Sequence, residues 1–499
     1  MRYVIGVDLG TSAVKILIVN KVGTVVHQVS KEYSLIHSQP GYSEQNPEDW
    51  VEQTISGLQE IFKNKIIDPT KVDGISFSGQ MHGLVLLDKN NNVLRNAILW
   101  NDTRTTPQCK YIYEKVGKNK LLNITKNLAL EGFTLPKLLW VKEHEPHIYE
   151  RAKKFLLPKD YLRYRLTDTI AMDYSDAAGT LLLNVENKEW SREICDILDI
   201  DMSICPPLVD SVDHVGNLSK EIAETVGLDP SVRVFAGGAD NACGAIGAGI
   251  IEEGKTLCSI GTSGVVLTYE EDAAKDFEGK VHYFNHSVPD SFYTMGVTLS
   301  SGYSLSWFKN TFAKGTSFDE LLGDIETVPV GSNGLLFTPY LVGERTPHAD
   351  ANIRSSFIGI DSTHKQKHFV RSVLEGITFS LNETIRIFRE KDKKIDSIVS
   401  IGGGAKSEQW LQMQADIFNA NIVQLKNEQG PGMGAAIVAA TGSGWFSSLK
   451  EAVQYFLREE KVYQPIHENV KRYNELFSVY QDIYHQTASL SKQLSQFRT

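Results

Sequence analysis

The chain has 499 residues, of which 41% are hydrophobic and 22% are charged, so it is long enough to form more than one hydrophobic core. Its formal net charge of −10, with no block rich in lysine and arginine, argues against nucleic acid as the main partner, since such binding needs a dense basic face. We therefore expect a soluble protein of roughly two to four domains that does not bind nucleic acid.

The cysteines and the first residues bear on the cellular compartment. The cysteines are odd in number and none stands in a C-x-x-C pair, so neither a disulfide framework nor a zinc site is predicted. The apolar run at residues 3–7 ends at Asp8, which makes it too short for a signal sequence or a membrane span. We expect a cytoplasmic protein that has no membrane partner.

The first elements of the chain are predicted to be strands around a tight turn. Residues 3–7 and 14–20 are rich in β-branched and apolar residues, and Gly10-Thr11-Ser12 separates them. Asn46 and Pro47 then predict the start of a helix, with Asn46 as its N-cap. Residues 72–78 predict a further strand, which ends in a glycine-flanked turn.

A similar pattern recurs in the second half of the chain. Residues 256–260 predict a strand, Gly261-Thr262-Ser263-Gly264 a turn, and residues 265–269 a second strand. We interpret this repetition as two halves of similar topology. It predicts an N-terminal domain at 1–244 and a C-terminal domain at 245–499. The later segments predict helices at 368–389, 408–419, 433–441 and from about residue 468.

Three glycine-containing turns, each after a predicted strand, predict a phosphate-binding site. They lie at residues 8–12, 259–264 and 401–405. Glycine lets the backbone turn where a Cβ would clash, so N–H groups can point at an anion, and serine and threonine add hydroxyl donors. Each motif alone also occurs in ordinary turns. Together, and in this order, they favour the nucleotide site of a kinase.

Two aspartates stand at the ends of predicted strands. A carboxylate at Asp8 beside phosphate needs a cation between them, and Mg²⁺ is the ion that we predict. Asp240 follows Gly237-Gly238-Ala239, where it can accept the proton of a sugar hydroxyl during phosphoryl transfer. The alternative is that Asp240 is the N-cap of the following helix, and one residue can do both.

Polar and apolar side chains stand together in two further turns. Met81 is followed by His82, and Trp100 precedes a short polar segment. A sugar needs hydrogen bonds to its hydroxyls and apolar cover on its C–H faces, so these residues suit a sugar pocket. The alternatives are a structural hydrogen bond for His82, a place in the core for Trp100, and an ion pair between Asp102 and Arg104.

Longer segments resemble the FGGY family of carbohydrate kinases. Residues 132–144 (GFTLPKLLWVKEH) resemble the first family signature, and residues 355–360 with their continuation to Glu375 resemble the second. The resemblance extends from Asp8 to about Thr441. It implies an α/β fold of two actin-like domains, of the ribonuclease H-like hexokinase/Hsp70/actin superfamily, that flank a catalytic cleft. Sugar would lie mostly on the N-terminal domain and ATP mostly on the C-terminal domain.

The resemblance also implies roles for single residues. Asp240 would be the base that takes the proton from the 5-hydroxyl of a ketose, and Asp8 would organise Mg²⁺ and the γ-phosphate of ATP. The residues implied at the nucleotide are Thr11, Ser12, Gly261 and Thr262 along the phosphates, with Gly403 and Gly404 on the adenosine side. The residues implied around the sugar are Gln80, Met81, His82, Trp100 and Asn241.

Within the family, several motifs resemble the xylulokinase branch. They are residues 79–83 (GQMHG), 157–161 (LPKDY), 174–180 (YSDAAGT) and 343–348 (GERTPH). This resemblance implies ATP-dependent phosphorylation of D-xylulose in xylose catabolism, and the family implies a homodimer. Alternatives are an FGGY kinase for ribulose, gluconate or an alditol, and an actin- or Hsp70-like ATPase that is indifferent to sugars. Glycerol kinases carry Arg-Glu in place of Met81-His82, which argues against glycerol.

Overall fold

The computed structural model describes residues 1–63, 65 and 67–498, which form two mixed β-sheets covered by helices. The strands of the first half are β1 (Tyr3–Leu9), β2 (Ala13–Asn20), β3 (Val25–Glu32), β4 (Glu44–Gln45), β5 (Val72–Gly79), β6 (Val85–Leu87), β7 (Ala97–Ile98), β8 (Lys154–Leu156), β9 (Met172–Asp173), β10 (Leu183–Asn184), β11 (Glu189–Trp190), β12 (Leu208–Val209), β13 (His214–Asn217), β14 (Arg233–Phe235) and β15 (Gly238–Ala239). The helices of that half are α1 (Pro47–Lys63), α2 (Thr106–Lys115), α3 (Lys118–Thr125), α4 (Thr134–His144), α5 (Pro146–Arg151), α6 (Pro158–Thr167), α7 (Tyr174–Ala178), α8 (Arg192–Ile197), α9 (Lys220–Val226) and α10 (Asp240–Ala248).

The second half follows the same alternation of strands and helices. Its strands are β16 (Gly254–Ile260), β17 (Gly264–Glu270), β18 (His282–Asn285), β19 (Phe292–Thr298), β20 (Leu336–Thr338), β21 (Ser356–Ile358), β22 (Ile395–Gly402), β23 (Asn421–Leu425) and β24 (Glu459–Tyr463). Its helices are α11 (Gly302–Phe312), α12 (Phe318–Leu322), α13 (Gln366–Glu390), α14 (Glu408–Phe418), α15 (Pro431–Gly442), α16 (Leu449–Phe456) and α17 (His467–Ser495).

The first sheet has the strand order β13-β14-β5-β1-β2-β3, with β15 beside β5. Strands β1, β2 and β3 form an antiparallel meander, whereas β5 and β14 run parallel to β1. Residues 4–7 of β1 are buried, which explains the apolar run that precedes Asp8. Helix α1 begins with Pro47 in its first turn, as predicted, and packs with α6 and α9 on one face of this sheet.

The second sheet repeats this arrangement. Its order is β18-β19-β17-β16-β22-β23-β24, and β16, β17 and β19 are antiparallel neighbours while β22 and β23 run parallel to β16. The antiparallel meander followed by parallel strands is thus common to both halves. The prediction of two halves with similar topology is confirmed, and so is the predicted α/β class.

Helices α10 and α15 cross with their backbones in contact. A Cβ built on Gly434 of α15 would lie 1.8 Å from the carbonyl oxygen of Cys243 in α10, so only glycine fits at this position. Helix α15 also packs on β1, β5 and β2 of the first sheet, although it comes from the second half of the chain. Met433 and Ile437 of α15 share a buried cluster with Val4, on the face of the sheet opposite α1.

Several local features agree with the sequence or add to it. The predicted helices of the second half are present as α13, α14, α15 and α17, each with ends within three residues of the prediction. All five cysteines are buried and free. Among the described residues, the helices are too short or too polar for any of them to cross a lipid bilayer. The domain boundary near residue 244 falls inside α10 and stays a prediction.

Candidate active site

The predicted site residues meet where the parallel strands of both sheets end. Strands β1, β5 and β15 carry Asp8, the 79–83 turn and Asp240 at their carboxyl ends, and β16 and β22 end at the two glycine turns of the second half. Ligands bind at such strand ends in open α/β sheets. Two cavities lie there, and they are called the inner pocket and the outer cavity below.

The inner pocket has a volume of about 250 Å³ and lies between the two halves of the chain. From the first half it is lined by Met81, His82, Trp100, Phe133, Asp240 and Asn241. From the second half it is lined by His282, Val297 and Arg345, among others. Five of the residues predicted from the sequence to bind or act on sugar therefore line one pocket.

Asp240 is the first residue of α10, and Ala239 holds the N-cap position. The N-cap interpretation of Asp240 is therefore wrong, since its backbone is already helical. Its Oδ1 accepts hydrogen bonds from the backbone N–H of Asn241 at 2.7 Å and from Asn241 Nδ2 at 2.9 Å. Burial, helped by the charge of Asp8, raises the pKa of Asp240 to about 7. Such a carboxylate is a good proton acceptor near neutral pH.

Asp8 lies beside Asp240 at the end of β1. Burial raises the pKa of Asp8 to about 6, against an ordinary value of 3.8. Neither Asp8 nor Asp240 forms an ion pair with any residue that the structure describes, and Lys15, opposite Asp8 on β2, donates instead to Gln429 Oε1 at 2.8 Å. Two neighbouring, partly buried carboxylates that form no direct ion pair among the described residues fit a divalent cation, and Mg²⁺ commonly uses one or two protein carboxylates together with phosphate oxygens.

His82 is held in one orientation by its surroundings. Its Nδ1 lies 2.6 Å from the carbonyl oxygen of Gly179, so Nδ1 carries the proton and donates. Burial lowers the pKa of His82 to about 3, so the ring is neutral and Nε2 is an acceptor. Its backbone has φ +68°, and its ring packs on Phe133 at 4.6 Å between centroids. The structural hydrogen bond weighed for His82 is therefore present, in a residue that also lines the pocket.

The other predicted sugar residues differ in their positions. The Sδ of Met81 lies 3.7 Å from Asn241 Nδ2 and 3.8 Å from the hydroxyl of Tyr293, so Met81 helps to orient Asn241. Gln80 is buried and donates to Gln45 Oε1 at 3.2 Å. The described lining of the inner pocket does not include Gln80, so its predicted contact with sugar gains no support from its position.

Trp100 connects the sugar and phosphate motifs. It is 41% exposed and lines the inner pocket, so it does not belong to the core. Its Nε1 donates to Thr11 Oγ1 at 2.9 Å, which ties the pocket wall to the Gly10-Thr11-Ser12 turn. Ser12 is exposed at the surface of that turn, and its carbonyl accepts from the N–H of Tyr33 at 3.1 Å.

The outer cavity joins the two glycine turns of the second half. It has a volume of about 360 Å³, and Gly261, Thr262, Gly403 and Gly404 all line it. Ile260 and Gly402 are partners in the parallel pairing of β16 with β22, which brings the two turns side by side. Tyr303, Leu322 and Trp410 supply a more apolar wall. Backbone N–H groups on one side and apolar surface on the other suit a nucleotide.

Arg104 and the first signature segment have structural roles near the pocket. Arg104 forms the ion pair with Asp102 that the sequence allowed, at 2.7 Å. Residues 134–144 form α4, and Lys137 of this helix donates to the carbonyl oxygens of Glu131 at 3.2 Å and Phe133 at 2.8 Å. These hydrogen bonds fix the loop that presents Phe133 to the inner pocket.

A buried cluster of charged residues lies behind Asp240. Lys159 Nζ is 2.5 Å from Asp160, 3.0 Å from Asp173 and 3.3 Å from Asp176. Burial alone would lower the pKa of Lys159, but the three carboxylates raise it above its ordinary value. The ammonium group thus occupies the centre of a carboxylate cluster that could otherwise hold a metal ion.

This cluster reaches the start of α10 through Ser175. The hydroxyl of Ser175 donates to Asp173 Oδ2 and accepts from the backbone N–H of Ala239 at 2.9 Å. Ala239 directly precedes Asp240, so the cluster fixes the backbone from which the predicted base projects. Sequence reasoning missed this network, although the adjacent charges of Lys159 and Asp160 were the available signal.

Comparison with known proteins assigns the chain to a family. Models of the N-terminal and C-terminal domains of the FGGY family of carbohydrate kinases match residues 3–247 and 256–443. The chain belongs to the FGGY family of carbohydrate kinases.

Individual relatives of this FGGY kinase match it over nearly its full length. It is 60% identical to the xylulose kinase of Bacillus subtilis strain 168 over 498 residues, with all of both chains covered. Among solved structures, a ligand-bound xylulose kinase from Lactobacillus acidophilus has a TM-score of 0.94 at 29% identity, with 99% of this chain and 100% of that chain covered. A gluconate kinase from the same organism also has a TM-score of 0.94 at 29% identity, with 99% of both chains covered.

The two-domain fold of this FGGY kinase is therefore as predicted, and so is its assignment to the carbohydrate kinases. The structure adds pocket residues that the sequence reasoning gave no role. His282 comes from β18, and Arg345 comes from the GERTPH segment, which served only as a mark of resemblance. Neither stands in a turn with a recognisable binding pattern, so only the folded chain brings them to the pocket.

Proposed function

We propose that this enzyme transfers the γ-phosphoryl group of ATP to the 5-hydroxyl of D-xylulose, giving D-xylulose 5-phosphate. The observation that carries the proposal is Asp240, a partly buried carboxylate with a pKa of about 7 that lines a pocket between the two halves. The 60% identity to a protein named xylulose kinase supports D-xylulose as the sugar.

Asp240 acts as the general base in this proposal. Both of its described hydrogen bonds go to Oδ1, which leaves Oδ2 to accept the proton of the sugar hydroxyl. Removal of that proton as the phosphoryl group arrives makes the oxygen a better nucleophile. The buried cluster behind Ala239 keeps the carboxylate in place, so little reorganisation is needed at the moment of transfer.

The sugar is held by groups with defined donor and acceptor roles. His82 Nε2 accepts from one hydroxyl, because its Nδ1 proton is committed to Gly179. Asn241 contributes its side-chain amide beside the base, while Met81 and Trp100 cover C–H faces. Gln80 was predicted to join them; it does not line the inner pocket, and its contact with sugar stays a prediction.

Asp8 is the residue that would hold Mg²⁺, because its partly buried carboxylate lies beside Asp240 and forms no direct ion pair with any described residue. When bound, Mg²⁺ would supply neutralisation of phosphate charge at this site. Thr11 and Ser12 on one side and Gly261 and Thr262 on the other would line the phosphates, with Gly403 and Gly404 nearer the adenosine. Closure of the two halves over both substrates would then exclude water, which would otherwise waste ATP. We also propose that the enzyme is cytoplasmic and that it assembles as a homodimer.

The first experiment is ADP release with Mg²⁺ and ATP against D-xylulose, D- and L-ribulose, gluconate, glycerol, D-arabinitol and no sugar. We expect strong turnover with D-xylulose. Turnover with another sugar instead would keep the kinase and replace the substrate, and ADP release without regard to sugar would contradict the kinase assignment of the site.

The same assay on Asp240→Asn tests the base. We expect turnover to fall by at least about 10²-fold, which is the scale of general base catalysis, while calorimetry still detects sugar binding. Asp196→Asn is the matched control, because Asp196 is an exposed aspartate outside both cavities. Near-normal turnover of Asp240→Asn would remove Asp240 from the mechanism.

A further inference from the structure

Arg345 is fixed at the wall of the inner pocket by its backbone. The buried carboxylate of Glu344 accepts from the N–H of Arg345 at 2.7 Å and from the N–H of Leu299 at 2.9 Å. The N–H of Thr346 donates to the carbonyl oxygen of Val297 in β19 at 3.0 Å, and the N–H of Val297 donates to the hydroxyl of Thr346 at 3.1 Å. The loop on both sides of Arg345 is thus attached to the second sheet, so the position of the residue is well defined.

The guanidinium of Arg345 has no acceptor in the structure. Across residues 1–63, 65 and 67–498, no hydrogen bond or ion pair involves its side chain; burial lowers its pKa, against the opposing charges of Glu344 and Glu131. Other partly buried arginines are paired, as Arg104 with Asp102 at 2.7 Å and Arg371 with Glu375 at 2.9 Å. Arginine remains protonated in proteins and offers five N–H donors. A partly buried cation of this kind, with its donors unpaired, stabilises a ligand that supplies an acceptor.

Arg345 acts on the part of the pocket that lies away from the base. Burial, followed by the charge of Arg345, lowers the pKa of His282 to about 3. The charge of Arg345 also lowers the pKa of His82. Arg345 and His282 also line the neighbouring cavity at the mouth of the cleft, which Asp240 and Asn241 do not line. The guanidinium therefore lies on the His282 side of the inner pocket, away from the predicted base.

The chemistry of a ketopentose places an acceptor away from the hydroxyl that reacts. Ring closure of D-xylulose uses its 5-hydroxyl, so the hydroxyl that is phosphorylated is free only in the open-chain form. The open chain carries a ketone at C2, several bonds from O5. A carbonyl oxygen accepts hydrogen bonds and has no proton of its own, which matches a side chain that only donates.

We propose that Arg345 donates to the C2 carbonyl oxygen of the open-chain ketose and so selects ketoses over alditols. This inference rests on the proposed function and assigns a specificity-determining residue to it. Reduction of C2 replaces the planar carbonyl by a hydroxyl on a tetrahedral carbon, so the accepting oxygen no longer lies in the direction of the carbonyl oxygen. Xylitol and D-arabinitol, the two products of reducing D-xylulose at C2, keep the hydroxyl that is phosphorylated and change only this group.

The test is the ratio of kcat/KM for D-xylulose to kcat/KM for xylitol and D-arabinitol, in wild type and Arg345→Met. Removal of one hydrogen bond from a charged donor should lower kcat/KM for D-xylulose by about 10- to 100-fold. We expect that loss for the ketose and less than about a threefold change for the alditols. Calorimetry without ATP should show the same selective loss in sugar affinity, which a change in the chemical step would not produce.

Lys280→Met is the control for charge in general, since Lys280 is an exposed cation at the mouth of the same cleft and should leave the ratio unchanged. Arg345→Lys keeps the charge but loses the planar pair of donors, so it should give an intermediate ratio and provides a second variant if Arg345→Met does not fold. An equal loss for ketose and alditols in either variant would overturn the inference. Absence of D-xylulose turnover in the wild type would instead overturn the proposed function, so the two failures are distinguishable.

Discussion

The crossing of α10 and α15 predicts that one added methyl group will impair both stability and catalysis. The substitution is Gly434→Ala. A Cβ at this position would lie 1.8 Å from the carbonyl oxygen of Cys243, and the obstacle is backbone, which cannot rotate away. Cys243 lies one helical turn after Asp240, so any movement that relieves the contact also moves the predicted base.

The size of the effect follows from the distance. A carbon atom and its non-bonded neighbour pack at about 3.5 Å, so the two helices must separate by more than about 1 Å. Overpacking of this kind typically costs about 1–3 kcal/mol in the free energy of unfolding. Displacement of a catalytic group by about 1 Å can reduce the rate about 10²-fold. We expect losses of both sizes in Gly434→Ala.

The assay pairs kcat/KM for D-xylulose with urea unfolding. Gly244→Ala is the matched control, because Gly244 lies on α10 next to Cys243 and a Cβ there would meet only Pro431 Cγ at an ordinary 3.7 Å. Alanine is also the better helix former, so Gly244→Ala should retain activity and full stability. If Gly434→Ala matched this control in both measurements, the close contact would not be a constraint and the reasoning would fail.

Three other predictions concern the buried charges. Because Asp240 must be ionised to act as a base, kcat/KM should rise with pH through about 7; a profile that is flat from pH 5 to 8 would contradict this. From pH 5 to 7 the folded state keeps a proton at Asp240 that the unfolded state has lost. The free energy of unfolding of the wild type should therefore fall, relative to that of Asp240→Asn, by about 1.4 kcal/mol per pH unit in urea unfolding. A difference that stays constant with pH would disprove the raised pKa. Lys159→Met leaves a buried carboxylate cluster without its central cation and should lose about 3–5 kcal/mol of unfolding free energy. The control Lys220→Met, at an exposed position, should lose almost none. A loss below about 1 kcal/mol for Lys159→Met would show that the carboxylates are protonated in the folded state.

The parts of the site that the sequence predicted are those encoded by local patterns. Each of the turns at Gly10, Gly261 and Gly403 follows a strand directly, and a strand with a glycine turn is recognisable in a short window. Since parallel strands end at one edge of a sheet, correct strands were enough to bring Asp8 and Asp240 together.

The parts that the sequence did not predict depend on contacts between distant segments. Arg345 reaches the pocket only because its loop is attached to β19, about 50 residues earlier in the chain. Lys159 meets Asp173 and Asp176 through the packing of α6 against β9 and α7, which no periodicity records. Buried ion pairs of this kind become visible only when the fold is known.

The position of α15 also affects how the protein is made. Residues 431–442 cover one face of the first sheet, where Leu17 and Val19 would otherwise meet water. During synthesis on the ribosome, this apolar face of the N-terminal sheet therefore stays uncovered until most of the second half has emerged. A fragment that ends at residue 247, where the first family model ends, would keep that face permanently open and should aggregate when it is expressed alone.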